Sequence, residues 1–194
     1  MKQISISGPV AAGKTTLLCR LLDALGDRAI SHEERPQNNP FIAGSYAEPK
    51  RWAFHCQMTF LALYFDDRSW RRTDKDFYFY DRCLIENLVL AKYREIQGEL
   101  TPEEYGIIKK MARGIEAEMP EIDRYICIRC SPELLLRRLA ERGRDYEQSL
   151  DMTYVLTTSR LYGEWYARLP QDRVLYVDTD AGIDLGEVLN FIGA

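Results

Sequence analysis

The chain has 194 residues, 46% hydrophobic and 29% charged, the composition of an ordinary globular protein long enough to bury a sizeable core in a single domain. Its formal net charge of −4 lacks the basic footprint that nucleic acid or an acidic membrane surface demands, so neither is expected as a partner. No apolar run reaches membrane-spanning length, and Met1-Lys2-Gln3-Ile4-Ser5 leads into the first predicted strand without a signal peptide, so a cytoplasmic protein is expected.

Residues 3–7 alternate apolar and polar side chains and read as a strand. The loop Gly8-Pro9-Val10-Ala11-Ala12-Gly13-Lys14-Thr15-Thr16 follows and matches Gly-x4-Gly-Lys-Ser/Thr at Gly8, Gly13, Lys14 and Thr15. Leu17, Leu18, Leu21, Leu22 and Leu25 then recur at helical spacing, which predicts a helix over 14–25. A P-loop at a strand–helix junction turns backbone N–H groups and the helix dipole toward one anion. Lys14 would reach the β- and γ-phosphates of a nucleoside triphosphate such as ATP, and the Thr15 hydroxyl would help to hold Mg²⁺.

Arg28 to His32 reads as a short strand running into Glu33-Glu34-Arg35-Pro36 and a polar loop through Pro40. A helix is expected over 49–71, with an apolar face wide enough to be buried on more than one side. Phe77-Tyr78-Phe79-Tyr80 is a continuous aromatic run, as in a buried parallel strand, and ends at Asp81-Arg82. Helical patterns cover 83–97 and 101–119, the second opening on the capping-box signature Thr101-Pro102-Glu103-Glu104. A strand over 124–130, a helix from Ser131-Pro132-Glu133 to Arg142, a long helix to Arg168, a strand over 174–177 and a short final helix complete the chain. The alternation predicts an α/β fold of the P-loop NTPase type, a five-stranded parallel sheet with helices on both faces. Ligands bind such sheets at the carboxyl ends of the strands, where the P-loop, Glu33/Glu34 and Asp81/Arg82 would gather.

Asp81 is placed to support Mg²⁺ beside Thr15, and Glu34 to take a proton from a substrate hydroxyl, although adjacent carboxylates at a strand end also occur as a solvated pair. Arg137, Arg138, Arg142 and Arg144 form a dense guanidinium cluster that reads either as a lid over phosphates, about residues 138–148, or as a solvated helix face. The five cysteines are odd in number and scattered; Cys127 and Cys130, in an apolar run, read as structural thiols rather than as a redox or zinc pair.

Beyond the P-loop, four segments in order resemble the deoxynucleoside kinases, especially bacterial deoxyadenosine and deoxyguanosine kinases. They are Glu34 to Phe41 with Tyr46 downstream, Trp52 to Leu61 containing Gln57, Asp81-Arg82-Cys83, and Ser131-Pro132-Glu133 continued by Arg138, Arg142, Gly143, Arg144 and Glu147. The resemblance implies transfer of the γ-phosphate of ATP to the 5′-hydroxyl of a deoxynucleoside, with Glu34 as general base and Asp81 beside Thr15 on Mg²⁺. Tyr46 and Glu147 would bind the 3′-hydroxyl, Gln57 the base edge, and Arg82 both the base and the reacting hydroxyl, while Arg138, Arg142 and Arg144 would clamp the phosphates. It also implies a homodimer through the helices around 50–71 and 82–97. Two positions depart from the family pattern: Cys83 stands for a Ser, and Asn87, a candidate base-reading residue, stands where members accepting purines or cytosine often carry Asp. The competing readings are a deoxynucleoside monophosphate kinase resembling thymidylate kinase, a kinase for a modified base in DNA, and a non-catalytic nucleotide-binding subunit.

Overall fold

A computed structural model describes residues 1–32, 36–66, 74–147 and 149–194. Glu33, Glu34 and Arg35, together with the expected end of the helix at Arg71, therefore lie outside the described residues. The strands are β1 (Lys2–Ser7), β2 (Ala29–His32), β3 (Phe77–Asp81), β4 (Arg124–Arg129) and β5 (Val174–Asp178). They form one all-parallel sheet in the order β2-β3-β1-β4-β5. Ile6 of β1 pairs with Asp81 of β3, and Ser7 with Cys127 of β4, so β1 ends at the centre of the sheet between two partners.

Period-two alternation sorts the strand side chains onto two faces. On one face Ile4, Ile6, Phe77, Phe79, Ile126, Ile128 and Val177 are buried against helices α1 (Lys14–Leu25), α6 (Pro132–Arg142) and α8 (Leu185–Ile192), through Leu17, Leu18, Leu21, Leu135, Leu139 and Val188. On the other face Tyr78 and Tyr80 meet α3 (Pro49–Asp66), α4 (Asn87–Ile96) and α5 (Pro102–Glu116), while Cys127 meets α7 (Met152–Tyr166). Burying a whole Phe-like side chain is worth about 1.5–3 kcal/mol, so the aromatic run of β3, buried at every residue, is a large share of the core. The Tyr80 hydroxyl keeps a partner there by donating to Gln3 Oε1 at 3.0 Å.

The capping box forms as the sequence predicts: the Thr101 hydroxyl accepts from the Glu104 N–H, and Glu104 Oε2 accepts from the Thr101 N–H. Helix α3 buries Ala53, Cys56, Gln57, Phe60, Leu61 and Tyr64, while Phe54 and Met58 pack partly buried against the same core and Trp52 packs on Phe41 and His55. Phe65, near the end of the helix, is half exposed. Between the polar loop and α3, Ile42–Ala47 forms a helix, α2, too short to carry a periodic signal.

Helix α2 sits tightly on α3. A Cβ added at Gly44 would lie 2.9 Å from Cδ1 of Trp52. Gly44→Ala is expected to lower unfolding free energy by about 1–3 kcal/mol through overpacking, measured by urea denaturation; an unchanged midpoint would mean that Trp52 yields without cost.

Candidate active site

The loop over 8–13 leaves the middle of the sheet and opens α1. Gly8 is required by close approach, since a Cβ there would lie 3.1 Å from the Ile128 Cβ. Gly13 is required by its φ of +103°, a left-handed conformation that L side chains avoid. Gly13 caps α1 without any side-chain acceptor, which leaves the first-turn N–H groups to a ligand anion. Lys14 is buried and its Nζ donates to the carbonyls of Gly8 and Pro9, each at 2.8 Å. Thr16 is exposed beside Thr15.

The Thr15 hydroxyl donates to Asp81 Oδ2 at 2.8 Å, while Asp81 Oδ1 is buried without a hydrogen-bond partner among the described residues. A hydroxyl and a carboxylate with one oxygen in reserve suit Mg²⁺, which keeps several waters and takes few protein ligands. Accordingly, the described residues contain no cluster of three or more His, Cys, Asp or Glu side chains for a metal.

Arg82 has a φ of +77°, strained for a residue with a side chain. It is held at both ends: its N–H donates to the Ile6 carbonyl at 3.0 Å, and its own carbonyl accepts from the Tyr64 hydroxyl at 2.5 Å. Its Nη1 donates to Glu86 Oε1 at 3.0 Å and to the Tyr162 hydroxyl. Burial raises the Glu86 carboxyl above its ordinary pKa, opposed by the charges of Arg82 and Lys14 and by hydrogen bonds from Tyr162 and Gly8. Burial likewise raises the Tyr162 and Tyr46 phenols, which stay protonated donors, and pushes the Cys83 thiol up to about 12, too high for a nucleophile at neutral pH.

A cavity of about 130 Å³ opens in front of the loop. Val10, Ala11, Lys14 and Thr15 of the loop line it together with Tyr46, Gln57, Asp81, Arg82, Arg142, Arg144 and Glu147. Gln57 Oε1 is a buried acceptor without a hydrogen-bond partner among the described residues. Glu147 is buried and gathers two arginines: Arg142 Nη2 lies 2.5 Å from its Oε2 and Arg144 Nη1 3.4 Å from its Oε1. The Tyr46 ring lies 5.4 Å from that of Tyr146 and 5.1 Å from the Arg94 guanidinium. A larger cavity, about 660 Å³, runs between α4, α5 and α7, but no P-loop residue lines it.

Two of the expected site residues stand elsewhere. Arg138 donates to the Ala12 carbonyl and to the Thr179 hydroxyl, each at 3.1 Å, and so braces the P-loop from the β5 side. Asn87 is buried at the start of α4, donates to the Leu84 carbonyl at 3.2 Å, and does not line the cavity. Glu34 lies outside the described residues. Sequence reasoning missed Glu86, Tyr64, Tyr162, Arg94 and Thr179; only Glu86 carried a local signal, a carboxylate four residues after Arg82.

The family model described as Deoxynucleoside kinase matches residues 4–188. A deoxyguanosine kinase of Lactobacillus johnsonii is 31% identical, covering 100% of this chain and 92% of its own. The deoxyguanosine kinase of Bacillus subtilis is 28% identical over 92% of this chain and 86% of its own. The structure of deoxyadenosine kinase from M. mycoides with bound dCTP superposes with a TM-score of 0.85 at 22% identity, covering 98% of each chain.

Tyr64→Phe removes the hydroxyl that holds the Arg82 carbonyl. It is expected to cost about 1–3 kcal/mol, the penalty for weakening the satisfaction of a buried polar group, read as a lowered urea midpoint; an unchanged midpoint would mean that another donor holds Arg82.

Proposed function

Because the chain belongs to the deoxynucleoside kinase family, we propose that it transfers the γ-phosphate of ATP to the 5′-hydroxyl of a deoxynucleoside, with a purine, deoxyadenosine among them, favoured. The observation that carries this reading is the shared cavity, lined together by the P-loop residues, Tyr46, Gln57, Asp81 and Arg82. Phosphoryl transfer is largely positioning and charge neutralisation, which such a cleft supplies.

In this reading Lys14 leaves the Gly8 and Pro9 carbonyls for phosphate oxygens, which offer a stronger, charge-assisted bond. Thr15 and Asp81 hold Mg²⁺, which would supply positive charge against the phosphates. Arg142 and Arg144 exchange Glu147 for the phosphates, and Glu147 with Tyr46 then takes the sugar 3′-hydroxyl. Arg138 acts on the phosphates through the loop it braces. Gln57 meets the base with an acceptor oxygen that has no hydrogen-bond partner among the described residues, a good match for an exocyclic amine. Glu34, two residues beyond the end of β2, is the general base.

Arg94 also lines the cavity, paired with Glu99 at 2.6 Å and donating to the Ser45 carbonyl at 2.9 Å. A homodimer through the segments 50–71 and 82–97 belongs to the same proposal, supported by the exposed apolar side chains of Phe65 and Ile96. The free thiols of all five cysteines suit a reducing cytoplasm.

Radiolabelled ATP incubated with a panel of deoxynucleosides and their monophosphates tests this reading; product from the monophosphates alone would overturn it. Glu34→Gln is expected to retain ATP binding and to lose turnover by about 10²–10⁴-fold, the usual contribution of a general base. Unaltered turnover in that variant, with activity abolished in Glu33→Gln, would move the base to the neighbouring carboxylate.

A further inference from the structure

Glu86 is fully buried, at 0% exposure, and no step of the proposed reaction uses it. Its Oε1 alone accepts three hydrogen bonds: from the Gly8 N–H at 3.1 Å, from Arg82 Nη1 at 3.0 Å and from the Tyr162 hydroxyl at 2.8 Å. Gly8 opens the P-loop, Arg82 follows β3, and Tyr162 lies on α7, so one atom ties together three segments far apart in the chain. Its Oε2 is buried without a hydrogen-bond partner among the described residues. A carboxylate taken wholly out of water is costly unless charged or polar donors converge on it, and here two of those donors belong to the site itself.

We infer that Glu86 is a positioning residue that joins the first amide of the P-loop to the Arg82 guanidinium, so that the donor cradle and the cation on the acceptor side keep a fixed separation. The inference rests on the reading of Arg82 as a site residue. Its backbone is already pinned through the Ile6 carbonyl and the Tyr64 hydroxyl, which leaves the side chain as the free variable. Glu86 and Tyr162 set that variable from the same atom that holds Gly8. In-line transfer is sensitive to misplacement on the ångström scale, so loosening this strut acts on the transition state more than on either bound substrate.

The test compares Glu86→Gln, Tyr162→Phe and Arg82→Lys with the wild-type chain, by kcat, by KM for ATP and for the preferred deoxynucleoside, and by Tm. Glu86→Gln keeps shape and an acceptor oxygen but loses the charge, and kcat/KM is expected to fall about tenfold to a hundredfold, mostly in kcat. Tyr162→Phe removes one donor at the edge of the cluster and is expected to fall in the same direction by less. Should Glu86→Gln fail to fold, Tyr162→Phe decides. A lowered Tm with kcat and both KM values within twofold of wild type would make Glu86 a purely structural group and overturn the inference. Impaired Arg82→Lys beside unimpaired Glu86→Gln and Tyr162→Phe would overturn the strut alone, whereas full activity in Arg82→Lys would overturn the reading of Arg82 beneath it.

Discussion

The parallel pairing of β1 with β3 and β4 is the constraint from which the site follows. Ile6 stands opposite Asp81 and Ser7 opposite Cys127, so the chain enters the P-loop with the end of β3 immediately beside it. The pairing runs one residue past the strand, since the Arg82 N–H donates to the Ile6 carbonyl. A slip of one residue in this register would exchange the two faces of β1, turning Ile4 and Ile6 out of the α1 core and Ser5 and Ser7 into it. Packing of the aromatic β3 therefore determines where Thr15 meets Asp81.

Around that junction the site is a set of charges held in pairs. Lys14 rests on loop carbonyls, Arg82 on Glu86, and Arg142 and Arg144 on Glu147. Each cation thus has a local partner, Glu147 being shared by two of them, and a polyanion entering the cavity would draw some of them away. Arg138 differs: its bonds to Ala12 and Thr179 make it part of the wall of the loop. Five cations are aligned or braced by groups that a search for phosphate contacts alone would pass over.

Local features were legible because their causes are local. The P-loop pattern, the leucine spacing of α1, the capping box at Thr101 and the aromatic run of β3 each depend on residues within a few positions of one another. The helix α2 was not legible, since Ile42–Ala47 holds too few residues to display a period and contains Gly44 and Ser45.

By itself the sequence determined the order of strands and helices, the P-loop pattern and the family in which that loop is used, because propensity, turn chemistry and motif spacing act over short stretches. Only the tertiary structure decided which side chains meet. It brought Glu86, 78 residues from Gly8 and 76 from Tyr162, onto both of them; it turned Arg138 onto the P-loop and kept Asn87 out of the cavity. Such contacts depend on sheet register and on how helices seat against a shared core, and neither is written in the spacing of neighbouring residues.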